Sequence, residues 1–298
     1  MKYPTVKQLR YFLALNETHH FGRAAAACFV SQSAFSKGLQ ELEAVLGTRL
    51  VDRTNRQVTI TSIGQEVAIQ ARLCLRDIES LIDIAGQHRQ PLCGELRLGV
   101  IPTIAPFMLP TILPRLRKAY PDLRLFLAED QTQKIHEQLL DGELDVLLLA
   151  LPYELRSTEQ LPLFKDRFLL ACNAHTKRVD PSKYRMNRIE LASVLLLKDG
   201  HCLRDHALDA CKLRGTQKVS PFAATSLLTL IEMVDADLGI TFLPEMAAGS
   251  AMLRNTRVKT YATHDRSYRT IGLAWRKGSG RAGEFKMLGR FLRENRSS

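Results

Sequence analysis

An uninterrupted apolar stripe in the first third of the chain constrains the fold most. It keeps the 4-3-4-3-4 spacing of a coiled coil through Val67, Ala71, Cys74, Ile78, Leu81 and Ala85. Ser62 and Gln65 match an S-x-x-Q capping box and predict that a helix begins there. A single helix with so regular a stripe usually buries it against a copy of itself. The sequence therefore predicts a linker and dimerisation helix over 62–90, in which Cys74 is a packing residue.

The residues before this helix, 1–61, predict a small helical domain. A first helix, a second carrying the small residues GRAAAAC and a third capped by Ser31 follow one another closely. The third helix has apolar residues at a 4-3-4 spacing, and its outward side carries Gln32, Ser33, Ser36, Lys37 and Gln40. Two helices joined by a short turn, the second with a polar face, indicate a helix-turn-helix that enters the major groove of double-stranded DNA. Gln can read adenine, while Ser and Lys reach bases or phosphates.

A β-hairpin is predicted directly after the third helix. The stretch VDRTNRQVTIT, residues 51–61, gives two short strands around Asn55 and Arg56. Arg53 and Arg56 then lie where a wing would touch the phosphate backbone. The alternative is a helical bundle with a solvated polar face, and periodicity alone does not separate the two. Nor does charge, because the first 93 residues hold 11 Lys and Arg against 8 Asp and Glu, a small part of the net +11.

From residue 91 to residue 298 the chain alternates apolar strands with helical stretches. The predicted strands are 123–127, 146–149, 168–171, 194–197, 239–243 and 270–275, after a first strand in LRLGVI. This alternation is typical of an α/β domain with mostly parallel sheets, whose ligands bind at the carboxyl ends of strands.

The six cysteines are scattered, and the chain shows neither a charged leader before an apolar run nor an apolar segment near 18 residues. We therefore expect a cytoplasmic protein with reduced thiols and no membrane association. Without a CxxC pair we expect no metal site, and nothing in the sequence calls for a cofactor.

The N-terminal motifs together resemble the winged helix-turn-helix of the LysR-type transcriptional regulators. The run LRYFLAL…HFGRAAAACFVSQSAFSKGLQELEAVLGTRLVDR…VTITSIG carries the resemblance, and Ser33-Ala34 is a departure where the family commonly has Pro-Thr. The stretches GVIPTIAP, GELDVLLLAL, ATSLLTLIEMV and GITFLPEMAA resemble the family's effector domain, which has two lobes like a periplasmic binding protein. The resemblance implies an operator in promoter DNA, RNA polymerase as a partner, and a dimer or tetramer.

Within that family, LLLKDGHCLRDHALDAC, GVIPTIAPFMLP, EDQTQ and RTIGLAWR resemble stretches of hydrogen-peroxide sensors, including the Cys-x8-Cys spacing. This resemblance implies that Cys202 reacts with hydrogen peroxide, that Cys211 closes a reversible disulfide with it, and that Arg269 orients the pocket. It also implies control of antioxidant genes.

The residues around Cys202 support this chemistry independently. A peroxide-reactive cysteine must be a thiolate, which adjacent positive charge and a helix N-terminus favour. His201, Arg204 and a predicted helix start supply both, and Asp205 can fix Arg204 or relay a proton.

Two threonines at predicted loop positions complete the pocket. Thr103 follows the strand LGVI and Thr132 lies in DQTQ, where each hydroxyl can bond peroxide or a water beside the sulfur. Equally, each can do no more than cap a helix.

The separation of the two cysteines predicts a switch. Along a continuous helix Cys211 lies about 13.5 Å beyond Cys202 on the opposite face, whereas a disulfide requires Cα atoms within about 7 Å. Oxidation of Cys202 to a sulfenic acid and condensation with Cys211 should therefore unwind the helix and rearrange its surroundings.

Two other functions remain open at this point. The chain can be a LysR-type regulator that binds a small metabolite in the cleft between its lobes, where Thr225 and Ser226 can hold a carboxylate. It can also be a thiol peroxidase, although the N-terminal domain then has no role.

Overall fold

The computed structural model describes residues 2–53, 58–85, 92–181, 193–200, 202–210, 219–263 and 267–296. The chain divides into two compact units, one of Met1–Arg89 with Asp141–Glu143 and one of Gln90–Leu140 with Leu144–Ser298. None of the helices within the described ranges is long and apolar enough to cross a membrane.

The first unit contains the predicted helices and hairpin. Its elements are α1 Val6–Thr18, α2 Phe21–Ala27, α3 Gln32–Leu46, β1 Val51–Arg53, β2 Val58–Ile60 and α4 Ser62–Ala85. Ser31 caps α3 by accepting a hydrogen bond from the Ala34 amide, as predicted. The helices pack around Phe12, Leu15 and Phe35, which are completely buried, and β1 pairs antiparallel with β2. These elements are those of a winged helix-turn-helix.

Helix α4 carries the apolar stripe, but its cap differs from the prediction. Thr61, rather than Ser62, caps the helix, because its hydroxyl accepts a hydrogen bond from the Gly64 amide at 2.9 Å. The stripe is buried at Ala71, whereas Ile78 is 37% and Leu81 66% exposed. The second half of the stripe is therefore exposed apolar surface in the single chain. The dimer remains a prediction.

The second unit is the α/β domain. Its strands are β3 Gly94–Val100, β4 Leu123–Glu129, β5 Val146–Leu151, β6 Thr158–Asn173, β7 Val194–Leu197, β8 Val219–Ala224, β9 Thr241–Pro244, β10 Val258–Ala262 and β11 Tyr268–Arg276. Its helices are α5 Ala105–Ala119, α6 Thr132–Leu140, α7 Cys202–Ala210, α8 Leu227–Asp235, α9 Ala251–Arg254 and α10 Ala282–Glu294, with a 3-10 turn at Glu245–Ala247.

The main sheet has seven strands in the order β10-β6-β11-β5-β3-β4, with β9 also paired to β6. Only β3 runs parallel to its two neighbours, β4 and β5. The other pairs of this sheet are antiparallel, and β7 and β8 form a separate parallel pair. The prediction of mostly parallel sheets is therefore wrong for this sheet, because an apolar run identifies a strand without fixing its direction.

Two apolar cores divide the domain into two lobes. The first lies around Leu148, Trp275 and Phe285, and the second around Phe168 and Phe242. The long strand β6 contributes to both, since β11 pairs along its first part and β9 and β10 along its second.

Candidate functional site

Cys202 lies where the two lobes meet. It is the first residue of α7 and packs with the core of the first lobe, whereas Leu203 and Ala207 of the same helix pack with the core of the second. Cys202 carries a free thiol and is only 5% exposed. Helix α7 therefore connects the Cys202 sulfur to the packing of both cores.

A tight turn brings the chain from β7 to Cys202. Gly200 has φ +92°, a conformation that costs little only for glycine. A Cβ at this position would lie 2.6 Å from the side-chain oxygen of Gln131. The backbone conformation therefore favours glycine here, whereas the contact with the flexible end of Gln131 is relieved by a shift of that side chain.

A narrow cavity lies beside the thiol. It is too narrow to hold a water molecule in this structure, and its lining is formed by Ile101, Pro102, Thr103, Gln131, Thr132, Gly200 and Cys202. These residues follow the carboxyl ends of β3, β4 and β7, which is where ligands bind in sheets with parallel strands. The cavity therefore brings together Thr103, Thr132 and Cys202 as the sequence predicts.

Arg269 is a buried cation at the edge of this cavity. It is 1% exposed and donates hydrogen bonds from Nη1 to the Thr103 hydroxyl at 2.8 Å and from Nη2 to the Thr103 carbonyl at 2.9 Å. Its Nε donates to Oδ2 of Asp166 at 2.9 Å, and the other oxygen of Asp166 accepts from the Met246 amide at 3.2 Å. Protein groups therefore balance the charge of the guanidinium and fix its orientation.

Thr132 differs from Thr103 because its hydroxyl is not engaged by Arg269. Its oxygen is buried and has no hydrogen-bond partner of regular geometry among the described residues. Its interaction with the Cys202 thiol favours the ionised sulfur. The hydroxyl is therefore available to a small polar molecule beside the thiol.

The pKa of the Cys202 thiol is raised above its ordinary value. Burial is the largest cause; Arg269 and Thr132 lower the pKa, and Asp205 raises it. The resting site therefore holds a protonated thiol next to groups that stabilise a thiolate. Burial also raises the pKa of Asp166, while Arg269 lowers it.

The charged neighbours of Cys202 in the sequence are arranged differently from the prediction. Arg204 pairs with Asp199, with its Nε 2.8 Å from Oδ1, and donates to the Leu197 carbonyl. Asp205 is exposed, and the observed partner of Arg204 is Asp199 rather than Asp205; a proton relay by Asp205 stays a prediction. The cation that favours the thiolate is Arg269, distant in sequence.

Several predicted residues lie outside the described part of the chain. They are His201, Cys211 and Arg56, and the side chain of Arg53 is not described either. The structure describes α7 as helical from Cys202 to Ala210, one residue before Cys211.

Asp166, Gln131 and Gly200 also belong to the site and are missed by the sequence reasoning. Asp166 stands between Lys165 and Arg167, just before the apolar run FLL, so the sequence gives no clear sign that its carboxylate is buried and needs a distant partner. Gln131 and Gly200 are adjacent to predicted residues, but only the fold brings the two loops together.

The predicted DNA-reading face lies on α3. Gln32, Ser33, Lys37 and Gln40 are exposed and Ser36 is half-buried, on the side away from Phe35, Leu39 and Leu42, which are buried in the core.

In the second unit, Thr225 and Ser226 are exposed, and Ser226 caps α8 by accepting a hydrogen bond from the Thr229 amide.

Comparison with known proteins gives two family matches. Residues 6–65 match the bacterial regulatory helix-turn-helix protein of the lysR family, and residues 89–297 match the LysR substrate binding domain. The chain is 39% identical to the HTH-type transcriptional regulator EstR of Acinetobacter baylyi, over 96% of this chain and 95% of that protein.

Two further similarities concern proteins named for peroxide or for OxyR. The chain is 40% identical to the hydrogen peroxide-inducible genes activator of Haemophilus influenzae, over 92% of this chain and 91% of the other. Its fold superposes on full-length OxyR C199D from Pseudomonas aeruginosa with a TM-score of 0.80 and 29% identity, covering 98% of this chain and 96% of that one.

Proposed function

The chain belongs to the LysR family of bacterial transcriptional regulators, and we propose that it is a hydrogen-peroxide sensor of the OxyR type. The observation that carries the proposal is the Cys202 thiol in a small cavity with two threonine hydroxyls and the Arg269 cation. The similarity to a hydrogen peroxide-inducible genes activator supports the same function. A LysR-family regulator acts by binding DNA, so Cys202 reports on peroxide rather than turning it over as an enzyme.

The first chemical step is the attack of the Cys202 sulfur on peroxide. A bond forms between the sulfur and one peroxide oxygen, the O–O bond breaks, and the other oxygen leaves as hydroxide and takes up a proton to become water. The sulfur is oxidised to a sulfenic acid. Arg269 and Thr132 favour the thiolate that attacks, and Thr103 lies in the same cavity to stabilise the leaving oxygen.

The second step converts this local oxidation into a change of shape. The Cys211 thiol attacks the sulfenic sulfur, releases water and forms a disulfide. Cys211 follows directly after the helical residues Cys202–Ala210, so the bond requires α7 to unwind. Since α7 packs with both cores, unwinding changes the contacts between the lobes.

The remaining parts of the chain supply the regulatory output in this proposal. Residues 1–61 bind double-stranded promoter DNA through α3 and the wing, residues 62–90 dimerise, and residues 91–298 sense peroxide. Dimers or tetramers then bind an extended operator and act on RNA polymerase at antioxidant genes in the cytoplasm. The exposed apolar residues of α4 support the dimerising role.

A metabolite is the second candidate signal. Thr225 and Ser226 are exposed at the N-terminus of α8, and a helix N-terminus attracts carboxylates. The similarity to EstR is as extensive as that to the peroxide-named relative. In this case the regulator responds to its ligand with Cys202 and Cys211 unchanged.

Peroxide treatment of two cysteine variants tests the proposal. Cys202→Ser should lose the response because no thiol remains to attack. Cys211→Ser should still react at Cys202 but stop at a sulfenic acid or its further oxidation products. Peptide mapping by mass spectrometry and footprinting on DNA selected by the wild-type chain from a random library follow both steps, with Cys93→Ser as a control. A peroxide-dependent footprint without a Cys202–Cys211 bond would refute the disulfide step. A wild-type footprint that does not change with peroxide would refute peroxide sensing and favour the metabolite.

A further inference from the structure

We propose that Asp166 is a positioning residue for peroxide reduction, a role that depends on the peroxide-sensing function proposed above. It fixes the Arg269 guanidinium in the orientation that directs the Thr103 hydroxyl proton toward the leaving oxygen of peroxide. Asp166 lies on β6 and lines no part of the cavity. It therefore acts through Arg269 rather than by touching peroxide.

Both oxygens of the buried Asp166 carboxylate accept hydrogen bonds. Asp166 is 3% exposed, and its two oxygens accept from different donors, Oδ2 from Arg269 Nε and Oδ1 from the Met246 amide. Met246 also places its sulfur 3.6 Å from Nη2 of Arg269. The guanidinium is planar and its donors have a fixed geometry, so holding Nε also sets the direction of Nη1 and Nη2.

This direction determines what Thr103 can do. The Thr103 oxygen accepts the Nη1 hydrogen bond, and a hydroxyl that accepts from a cation keeps its own proton for another acceptor. Thr103 faces the cavity that contains the Cys202 sulfur. Its proton is therefore free for the side of the Cys202 sulfur from which peroxide must approach, and the adjacent cation makes it a stronger donor.

The donated hydrogen bond matters in one step only. When the Cys202 thiolate attacks, the sulfur loses two electrons to peroxide, the S–O bond forms and the O–O bond breaks. Negative charge develops on the departing oxygen, which Thr103 stabilises until the oxygen is protonated to water. Alkylation of the same sulfur by iodoacetamide releases iodide instead of an oxygen anion. The Thr103 hydroxyl therefore stabilises the transition state of alkylation much less.

An amide cannot replace the Asp166 carboxylate. Asn has one acceptor oxygen and one NH2 group, so in Asp166→Asn either Arg269 Nε or the Met246 amide meets another donor. The Arg269 charge also loses its partner. We expect the guanidinium to turn and Thr103 to lose its orientation, since a misplacement of about 1 Å can reduce a rate by about 100-fold.

The test compares two reactions of one thiol. The Cys211→Ser chain is used because it stops at the first oxidation. The rate of sulfenic acid formation at Cys202 is measured by dimedone trapping. The rate at which iodoacetamide alkylates Cys202 is measured separately. Adding Asp166→Asn should lower the ratio of the peroxide rate to the iodoacetamide rate by about 10- to 100-fold. A structural effect on exposure alone would change both rates together.

Asp145→Asn is the matched control. Asp145 is also a buried carboxylate, 4% exposed; it accepts from the Arg97 amide at 2.8 Å and pairs with Arg281 at 3.6 Å. It does not line the cavity. Its replacement removes a comparable ion pair and should leave the ratio at Cys202 unchanged.

A second variant is available if Asp166→Asn does not fold. Asp166→Glu keeps the charge but moves the oxygens by one bond length, so the ratio should again fall at least several-fold. An unchanged ratio in a folded Asp166 variant, or an equal loss of both rates, overturns the positioning role and leaves peroxide sensing intact. If Cys202 of the Cys211→Ser chain reacts with peroxide no faster than a free thiol, the proposed function itself fails.

Discussion

Replacing each of the two cavity threonines with valine should affect the stability of the domain in different ways. Both changes preserve shape and remove one hydroxyl. The Thr103 hydroxyl accepts a 2.8 Å hydrogen bond from Arg269, and a hydrogen bond to a charged group contributes about 1.5–3 kcal/mol. Because Arg269 is almost fully buried, no solvent replaces the lost acceptor. Thr103→Val should therefore lower the free energy of unfolding by about 1.5–3 kcal/mol.

Thr132→Val should cost nothing or stabilise the domain slightly. The Thr132 oxygen is buried without a hydrogen-bond partner of regular geometry among the described residues. Burying an unsatisfied hydroxyl is unfavourable, and an apolar group of the same shape removes that cost. We expect a change between about 0 and +1 kcal/mol in the free energy of unfolding.

The reactivity of Cys202 should also distinguish the two variants. Thr132→Val removes a group that favours the thiolate, so the pKa of Cys202 should rise and its oxidation should require higher pH. Thr103→Val removes the donor to the leaving oxygen, and its peroxide rate should fall by about 100-fold at every pH.

Trp275 provides the assay for stability. It is the only tryptophan of the chain and is buried in the core of the first lobe, so its fluorescence during urea unfolding reports on this domain in the full-length protein. Equal destabilisation by both substitutions, or no destabilisation by Thr103→Val, would show that the assigned hydrogen bonds are wrong.

Two further predictions concern pH and association. Burial raises the pKa of Cys202 and raises that of Cys172 to about 11, so the folded chain keeps protons that an unfolded chain loses above about pH 8.5. The contribution of the protonated thiols to the free energy of unfolding is complete below that pH and is lost as the pH rises toward the folded pKa values. Cys202→Ser should therefore show a smaller loss of stability in a pH series of urea unfolding. An identical pH series for the variant would contradict the raised pKa. Ile78→Lys places a charge on a side chain that is 37% exposed within this chain, so the chain should fold while self-association and DNA binding decrease together; a dimer that survives in sedimentation would place the interface elsewhere.

The sequence predicts the elements of this fold better than their arrangement. Apolar periodicity gives α3 and α4, and apolar runs give β4, β5, β7 and β11 close to their observed bounds. The run 168–171 is only part of the sixteen-residue β6, and the side chains at 158–165 are half-buried or exposed rather than buried. The strands β8 and β10 have short or mixed patterns that a search for apolar runs does not find.

The candidate site shows why neighbours in the sequence are a poor guide to charge pairs. Arg204 lies two residues after Cys202, but its position on α7 allows it to reach Asp199. Arg269 and Asp166 are 103 residues apart and meet because β6 and β11 are paired, with these two residues directly opposite each other. Strand register places the charge beside the thiol, and no local pattern encodes that register.

The raised pKa of Cys202 is compatible with the proposed peroxide reaction because desolvation has two effects. It disfavours the thiolate at rest, so a sulfur in this cavity is shielded from charged oxidants and from solvent. The same low dielectric strengthens the attraction between Arg269 and any negative charge that forms on sulfur or oxygen. Hydrogen peroxide is neutral and small, and it can enter without the cost of burying a charge. In the proposed mechanism, the site therefore disfavours reaction of Cys202 with charged electrophiles and mainly stabilises the charged transition state of O–O cleavage.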